Sequence, residues 1–155
     1  MQNRQVILSA RPNGIPTAEH FTIVETEVPN LGDGQVLVQA ELWSADPVAK
    51  SWTNLAGSRG AAVNVGDVMW AYTAGTVVES RDPKVPVGTH VTGNFGWQEF
   101  AVTDASAFDW VVTDDSLPLS LYLGPLGLTG GTAWFGLLEV GRPVAGETVA
   151  VSTAA

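Results

Sequence analysis

Alternating hydrophobic and polar residues fill the first two-thirds of the chain and predict β-strands. Residues 21–28 and 35–42 alternate along their length, which is typical of strands with one buried face. Glycine and proline turns separate these strands from other short apolar stretches. The other predicted strands are residues 6–8, 66–80, 87–93 and 96–102. Many short strands joined by such turns favour a small barrel or a closed, distorted sheet.

One short helix is predicted within this β-rich part, over residues 45–54. Ser44 or Asp46 is available as its cap, and Pro47 lies in its first turn. Proline is tolerated there because its missing N–H has no partner in the first turn of a helix.

The last quarter of the chain carries few charges and predicts an αβ extension. Helices are expected over residues 119–123 and 129–140, and a strand over residues 149–152. Thr129 or Thr132 is available to cap the second helix. The whole chain is therefore expected to be mainly β with a few helices.

Composition narrows the classes of function. The 155 residues include seven Lys and Arg against 16 Asp and Glu, which gives a net charge of −9. Nucleic acids and anionic membranes bind clustered basic residues, so neither is an expected partner. No stretch has the roughly 18 consecutive apolar residues of a membrane span. No signal peptide is recognised before the first predicted strand, so we expect a cytoplasmic protein.

A metal site is not expected from this sequence. The chain has no cysteine, which excludes disulfides and thiolate-bound zinc or iron–sulfur centres. The two histidines, His20 and His90, are far apart in sequence, and neither has a local Ser-His-Asp signature.

Several short segments, in matching order over nearly the whole chain, resemble one enzyme family. They read GQVLV (residues 34–38), SADP (44–47), GDVM (66–69), GTVVES (75–80) and GWQEF (96–100). The most specific segment reads LGLTGGTAWFGLL (residues 126–138), followed by GRP (141–143) and GETVAVS (146–152). The chain resembles the N-terminal part of the medium-chain dehydrogenase/reductase superfamily. Within it, the resemblance is to the zinc-independent, NADPH-dependent double-bond reductases of the leukotriene B4 dehydrogenase, prostaglandin reductase and curcumin reductase type.

This resemblance implies both a fold and a reaction. The implied fold is a GroES-like β-barrel over residues 1–116 with a short αβ extension over residues 117–155. That extension corresponds to the helical segment and first strand of a Rossmann domain, within one compact unit. In this branch, hydride from NADPH reaches the β-carbon of an activated enone, and a proton follows. The branch's phosphate-binding turn would lie beyond Ala155, so we expect this chain alone to bind NADPH weakly or not at all.

The resemblance also implies residues that approach the cofactor. Leu128, Thr129 and Thr132, together with Pro47, match positions near the nicotinamide half of NADPH in the branch. Helix capping and core packing are the alternative roles for these side chains.

A substrate cleft is implied at five residues, each with an ordinary structural alternative. Tyr72 is a weak candidate for the catalytic acid, since a phenol can donate a proton to an enolate, but it also suits a barrel wall. Asp46 either borders the cleft or caps a helix. Lys50 either holds an anionic group or is a solvated surface residue. Trp52 and Trp70 either form an apolar wall for a substrate or pack in the core.

The sequence departs from the branch at two cleft segments, so the substrate cannot be carried over. Residues 48–50 read VAK where the branch usually has Tyr-Met-Arg, and residues 70–73 read WAYT where an arginine and a glycine tract are typical. Small apolar ligands remain possible.

Two functions remain open. The first is the substrate-binding half of an NADPH-dependent oxidoreductase that reduces activated C=C bonds and is inactive alone. The alternative is a stand-alone, non-catalytic binding or assembly module derived from that domain. In either case, the region from Leu117 to Ala155 is the expected contact with a cofactor domain or with further copies of the chain.

Overall fold

A computed structural model describes residues 1–54 and 62–152. Its seven strands are β1 Gln2–Leu8, β2 Phe21–Glu27, β3 Gln35–Trp43, β4 Tyr72–Ser80, β5 His90–Asn94, β6 Phe100–Asp104 and β7 Phe108–Val111. The α-helices are α1 Ala49–Trp52 and α2 Leu128–Trp134, and a π-helix, Phe135–Gly141, continues α2. Short 3-10 helices span Ala18–His20, Ala105–Ala107 and Leu119–Leu123. No helix among the described residues is both long and apolar enough to cross a membrane.

The strands form two antiparallel sheets. One sheet has five strands in the order β6-β3-β4-β5-β7, and β1 pairs with β2 in the other. Backbone hydrogen bonds attach β1 to the larger unit, from Val6 N to Trp97 O at 2.8 Å and from Leu8 N to Asp67 O at 3.0 Å. The predicted, mainly β, GroES-like fold is confirmed. In the described part of the chain, however, the edge strands β6 and β7 do not pair with each other, so the strands form no closed barrel.

Two hydrophobic clusters hold these sheets together. The larger contains mainly valines, which suit strands because their branched side chains pack well on a pleated surface. Its members are Val36, Val38, Val77, Val85, Val91, Phe95 and Ala101, with Phe108 against them. The smaller cluster contains Leu8, Val63 and Met69, and Trp52, Trp70 and Trp97 pack around it.

The strand predicted over residues 66–80 is shorter in the structure than its sequence pattern. Residues 66–71 are not part of this strand, because β4 begins only at Tyr72. Gly66 has a φ of 99°, which favours glycine, and Met69 N donates to Val6 O at 2.8 Å. This segment therefore pairs with β1 through an isolated bridge between Val68 and Ile7, and it does not lengthen β4.

The helix predicted over residues 129–140 is confirmed, but its caps differ from those expected. Gly127 is the N-cap and has no side chain that could accept a hydrogen bond from the first turn, while the Thr132 hydroxyl donates to Leu128 O at 2.7 Å inside the helix. At the other end, Arg142 follows the π-helix as its C-cap in the left-handed conformation, with a φ of 49°.

Residues 149–152 form no strand, contrary to the prediction. A strand is stable only when its backbone groups pair with a neighbour, and no described strand pairs with this segment. The division of the chain at residue 117 stays a prediction.

Candidate active site

A small cleft lies where the large sheet meets the C-terminal helices. Its enclosed volume is about 30 Å³, enough for a group the size of a carbonyl, so the rest of a larger ligand would lie outside the cleft at its rim. Strands supply one part of its lining, and the Leu119–Leu123 helix and α2 supply the other. The lining residues are Ser44, Asp46, Tyr72, Thr92, Asp109, Trp110, Tyr122, Leu123, Leu128 and Thr129.

Strand register brings the polar side chains of the sheet to this cleft. Ala74 lies opposite Thr92, and Thr92 lies opposite Trp110, so these side chains share one face of the sheet. Tyr72 is two residues before Ala74 and therefore points the same way. Three strands that are neighbours in the sheet but distant in sequence, β4, β5 and β7, therefore contribute side chains to the cleft.

A β-bulge adds Asp109 to the same cleft. Along β5, Thr92 and Gly93 are consecutive, yet their partners Trp110 and Phe108 on β7 are two residues apart. Asp109 is the extra residue between them, and a bulge of this kind redirects a side chain that regular alternation would send to the opposite face. Asp109 and Trp110 accordingly both line the cleft.

The Thr92 hydroxyl is buried at the cleft without a partner. Thr92 is 2% exposed, and its Oγ1 is the one buried side-chain nitrogen or oxygen in residues 1–54 and 62–152 that lacks a hydrogen bond. Thr73, equally buried on the adjacent strand, donates its hydroxyl to Ala71 O at 3.1 Å. An unmet hydrogen bond of this kind costs about 1–3 kcal/mol. A ligand that bonds Thr92 would recover part of that cost.

Burial and two nearby carboxylates disfavour ionisation of the Tyr72 phenol and so raise its pKa. Burial raises the pKa of Tyr72 above its ordinary value, and the negative charges of Asp109 and then Asp46 raise it further. Partial burial also raises the pKa of Asp109. A protonated phenol in this position can donate a hydrogen bond or a proton to a ligand.

Two glycines allow α2 to pack closely against the chain segment that precedes it. A Cβ atom on Gly127 would overlap the carbonyl oxygen of Tyr122, and one on Gly130 would overlap that of Pro125. The backbone of α2 therefore lies directly against the preceding helical turns. This close packing holds Leu128 and Thr129 at the rim of the cleft.

Four of the residues expected from the sequence meet in the cleft: Asp46, Tyr72, Leu128 and Thr129. Asp46 also accepts a hydrogen bond from Val48 N at 2.8 Å in the turn before α1, but the N-cap of that helix is Val48, without a side-chain cap. The sequence did not indicate the other six lining residues. Only sheet register, the bulge and helix packing bring them here, and none of these has a local sequence signal.

The remaining expected residues lie outside the cleft lining. Trp52 packs behind Tyr72 with ring centroids 5.7 Å apart, and Trp70 packs against Trp52 at 5.8 Å, so both support the tyrosine from the core side. Lys50 is exposed on α1 and makes no ion pair with a described residue. Pro47 is exposed in the preceding turn, and the Thr132 hydroxyl is occupied within α2.

The residues present suit one end of a nicotinamide cofactor. Leu128 is 60% exposed at the rim, and the Thr129 hydroxyl beside it has no hydrogen-bond partner among the described residues. An apolar surface and a free hydroxyl fit the ring and amide of a nicotinamide. None of the lining residues is basic, so the phosphates of such a cofactor would need contacts outside this cleft.

A second, larger cavity lies elsewhere, but it brings together none of the expected residues. Its volume is about 310 Å³, and Trp43 and Trp97 form part of its wall. The ionised side chains at its edge, Arg4 and Glu99, already pair with each other at 2.5 Å. The small cleft is therefore the better candidate for chemistry.

The chain is similar to known proteins of one oxidoreductase family. Residues 4–111 match the family described as the N-terminal domain of oxidoreductase. The NADPH-dependent curcumin reductase of Escherichia coli (strain K12) is 38% identical over 155 residues, which cover 99% of this chain and 44% of that protein. Prostaglandin reductase 1 of Oryctolagus cuniculus is 39% identical over 145 residues, which cover 92% of this chain and 40% of that protein.

A solved structure extends the likeness to three dimensions. CurA from Vibrio vulnificus superimposes with a TM-score of 0.84 at 32% identity, covering 94% of this chain and 42% of that chain. A second structure of CurA, in complex with NADPH, matches with a TM-score of 0.83. The chain spans less than half the length of these relatives. It belongs to the N-terminal oxidoreductase domains of the medium-chain dehydrogenase/reductase superfamily, in the branch of the zinc-independent, NADPH-dependent double-bond reductases.

Proposed function

We propose that these 155 residues supply the substrate-binding half of an NADPH-dependent reductase of activated C=C bonds. The observation that carries the proposal is the cleft that joins the Tyr72 phenol and the unpartnered Thr92 hydroxyl to the rim residues Leu128 and Thr129. Family membership supplies the reaction type.

Each cleft residue then has a role in the reaction. The hydroxyls of Thr92 and Tyr72 donate hydrogen bonds to the carbonyl oxygen of an enone and so stabilise the charge that develops there. When bound, NADPH supplies the hydride for the β-carbon. Tyr72 donates its proton to the enolate oxygen, the resulting enol tautomerises to the saturated carbonyl compound, and water returns a proton to the phenolate. Leu128 and Thr129 hold the nicotinamide end against the substrate, while Trp52 fixes the tyrosine from behind.

Reduction is proposed to require, in addition to residues 1–155, a cofactor-binding part like the one that the longer relatives have outside the matched region. The relatives are more than twice as long as this chain, and the described cleft has no basic residue for the cofactor's phosphates. We therefore expect residues 1–155 alone to have little or no reductase activity, because hydride transfer requires the nicotinamide to be fixed beside the substrate. A cytoplasmic location belongs to the same proposal.

A chimera tests this function. Residues 1–155 replace the matching part of E. coli curcumin reductase, and enone-dependent NADPH oxidation is compared between the chimera and residues 1–155 alone. Turnover by the chimera with none above background by the short chain supports the proposal. Rapid NADPH oxidation by the short chain alone contradicts the requirement, and a chimera that binds NADPH but reduces no enone contradicts the function. Binding of NADPH, followed by energy transfer from tryptophan, checks that the chimera has folded.

A second function, a non-catalytic assembly module, is favoured by the apolar surface of the C-terminal helices. Trp134 and Phe135 are each 62% exposed, and Val140 is 80% exposed. Such a surface invites pairing with another protein surface, including a second copy of the chain. Sedimentation of residues 1–155 distinguishes the cases. A stable oligomer that W134E disrupts favours the module, whereas a monomer at high concentration argues against self-association.

A further inference from the structure

We propose that the cleft selects uncharged enones and rejects those that carry a carboxylate close to the double bond. This inference deepens the proposed function and rests on it, since it names the substrate class of the same site. It is carried by the charge of the lining residues together with the unpartnered hydroxyl of Thr92.

Two carboxylates face the cleft from different elements. Asp46 lies in the turn after β3, and the bulge in β7 directs Asp109 to the cleft. No described lining residue is a lysine or an arginine, and Lys50, the nearest basic residue to Asp46 in the sequence, lies outside the lining. An anionic ligand would therefore meet two like charges without a compensating cation. The partial burial of this site weakens the screening of that repulsion by water.

The groups available to bind a ligand are neutral hydroxyls. Only 2% of the Thr92 surface is exposed, and its Oγ1 has no hydrogen-bond partner. Tyr72 adds a protonated phenol on the same face of the sheet. Two neutral donors suit the oxygen of an uncharged carbonyl group, which needs hydrogen bonds but no counter-charge.

The bulge explains why this selectivity is built into the fold. Regular alternation along β7 would send Asp109 away from the face that holds Thr92 and Trp110. The extra residue places the carboxylate beside the hydroxyls instead. This costs stability, because the charged carboxylate is partly buried, as the raised pKa of Asp109 indicates. A role in excluding anions accounts for that cost.

A matched pair of ligands tests the inference on residues 1–155. The probes are 4-oxo-2-pentenoate and its methyl ester, which differ by a single charge, and the chain has no cysteine that could react with them. Binding is followed by chemical-shift changes in NMR spectra at neutral pH. We expect the ester to bind at least about tenfold more tightly than the acid, with shifts at Thr92 and Tyr72.

Two variants connect the preference to the carboxylates. D109N should reduce the ester-to-acid affinity ratio at least about threefold, and D46N should reduce it in the same direction. Equal affinity for both probes, a ratio that neither variant alters, or shifts confined to the cavity of Trp43 and Trp97 would each overturn the inference. Failure of both probes to bind at millimolar concentration would also overturn it.

The chimera separates this inference from the proposed function. If it reduces the acid as readily as the ester, the reductase function stands and the selectivity is wrong. If it binds NADPH and reduces neither probe nor any other enone, the proposed function fails, while the affinity ratio of the short chain still reports on the cleft.

Discussion

At the scale of single residues, two buried threonines on neighbouring strands make a sharp test of the cleft. Thr92 leaves its hydroxyl unpartnered, whereas Thr73 donates its hydroxyl to Ala71 O at 3.1 Å. Because valine has nearly the same shape as threonine, T92V should raise the free energy of unfolding by up to about 1–2 kcal/mol, and T73V should lower it by about as much. Urea denaturation of both variants measures this. Equal destabilisation by the two substitutions would mean that the Thr92 hydroxyl has a partner in solution.

Two aspartates should respond to pH in opposite ways. The folded state raises the pKa of Asp109 by burial, and it lowers the pKa of Asp104 through hydrogen bonds from Ser106. A raised carboxyl pKa means that folding disfavours the charged form, so stability falls as pH rises through the ordinary carboxyl range. A lowered pKa means the reverse, and the stability that Asp104 contributes is lost as pH falls.

The asparagine variants make this contrast measurable. D109N should melt at a higher temperature than the natural chain at neutral pH, and the difference should shrink towards pH 3. D104N should melt at a lower temperature at neutral pH, with a difference that also shrinks in acid. Thermal melts from acid to neutral pH check both signs. The same sign for both variants would contradict the burial of Asp109 on the bulge.

At the scale of elements, two adjacent glycines in α2 differ in how much space surrounds them. A Cβ on Gly130 would overlap the backbone of Pro125, whereas nothing lies within 4 Å of a Cβ on Gly131. G130A should therefore lower the free energy of unfolding by more than about 1 kcal/mol and separate α2 from the cleft. G131A should be neutral or stabilising by up to about 1 kcal/mol, because alanine favours a helix more than glycine does. Denaturation curves for the pair decide this, and equal losses would contradict the close packing.

At the scale of the whole molecule, sequence patterns predicted the elements better than their assembly. Alternation located β2 and β3, the segment at residues 126–138 indicated the family, and a helix was correctly predicted over residues 129–140. The strand β7 was not predicted because it has only four residues, and the bulge at Asp109 is visible only in its pairing with β5. Thr92 likewise looks ordinary in the sequence, since a missing hydrogen-bond partner depends on every element around it. Such features arise only from packing between distant segments.

The rate of enone reduction by a chimera that carries Y72F tests whether the cleft is the site of the chemistry. We expect kcat to fall by about a hundredfold or more, because the phenol donates the proton, while NADPH binding stays at the level of the unsubstituted chimera. W43F, which alters the unrelated cavity, serves as the control and should retain most of the rate. A Y72F chimera that reduces the enone at the full rate would contradict the account, because the cleft would then not be the site of the chemistry.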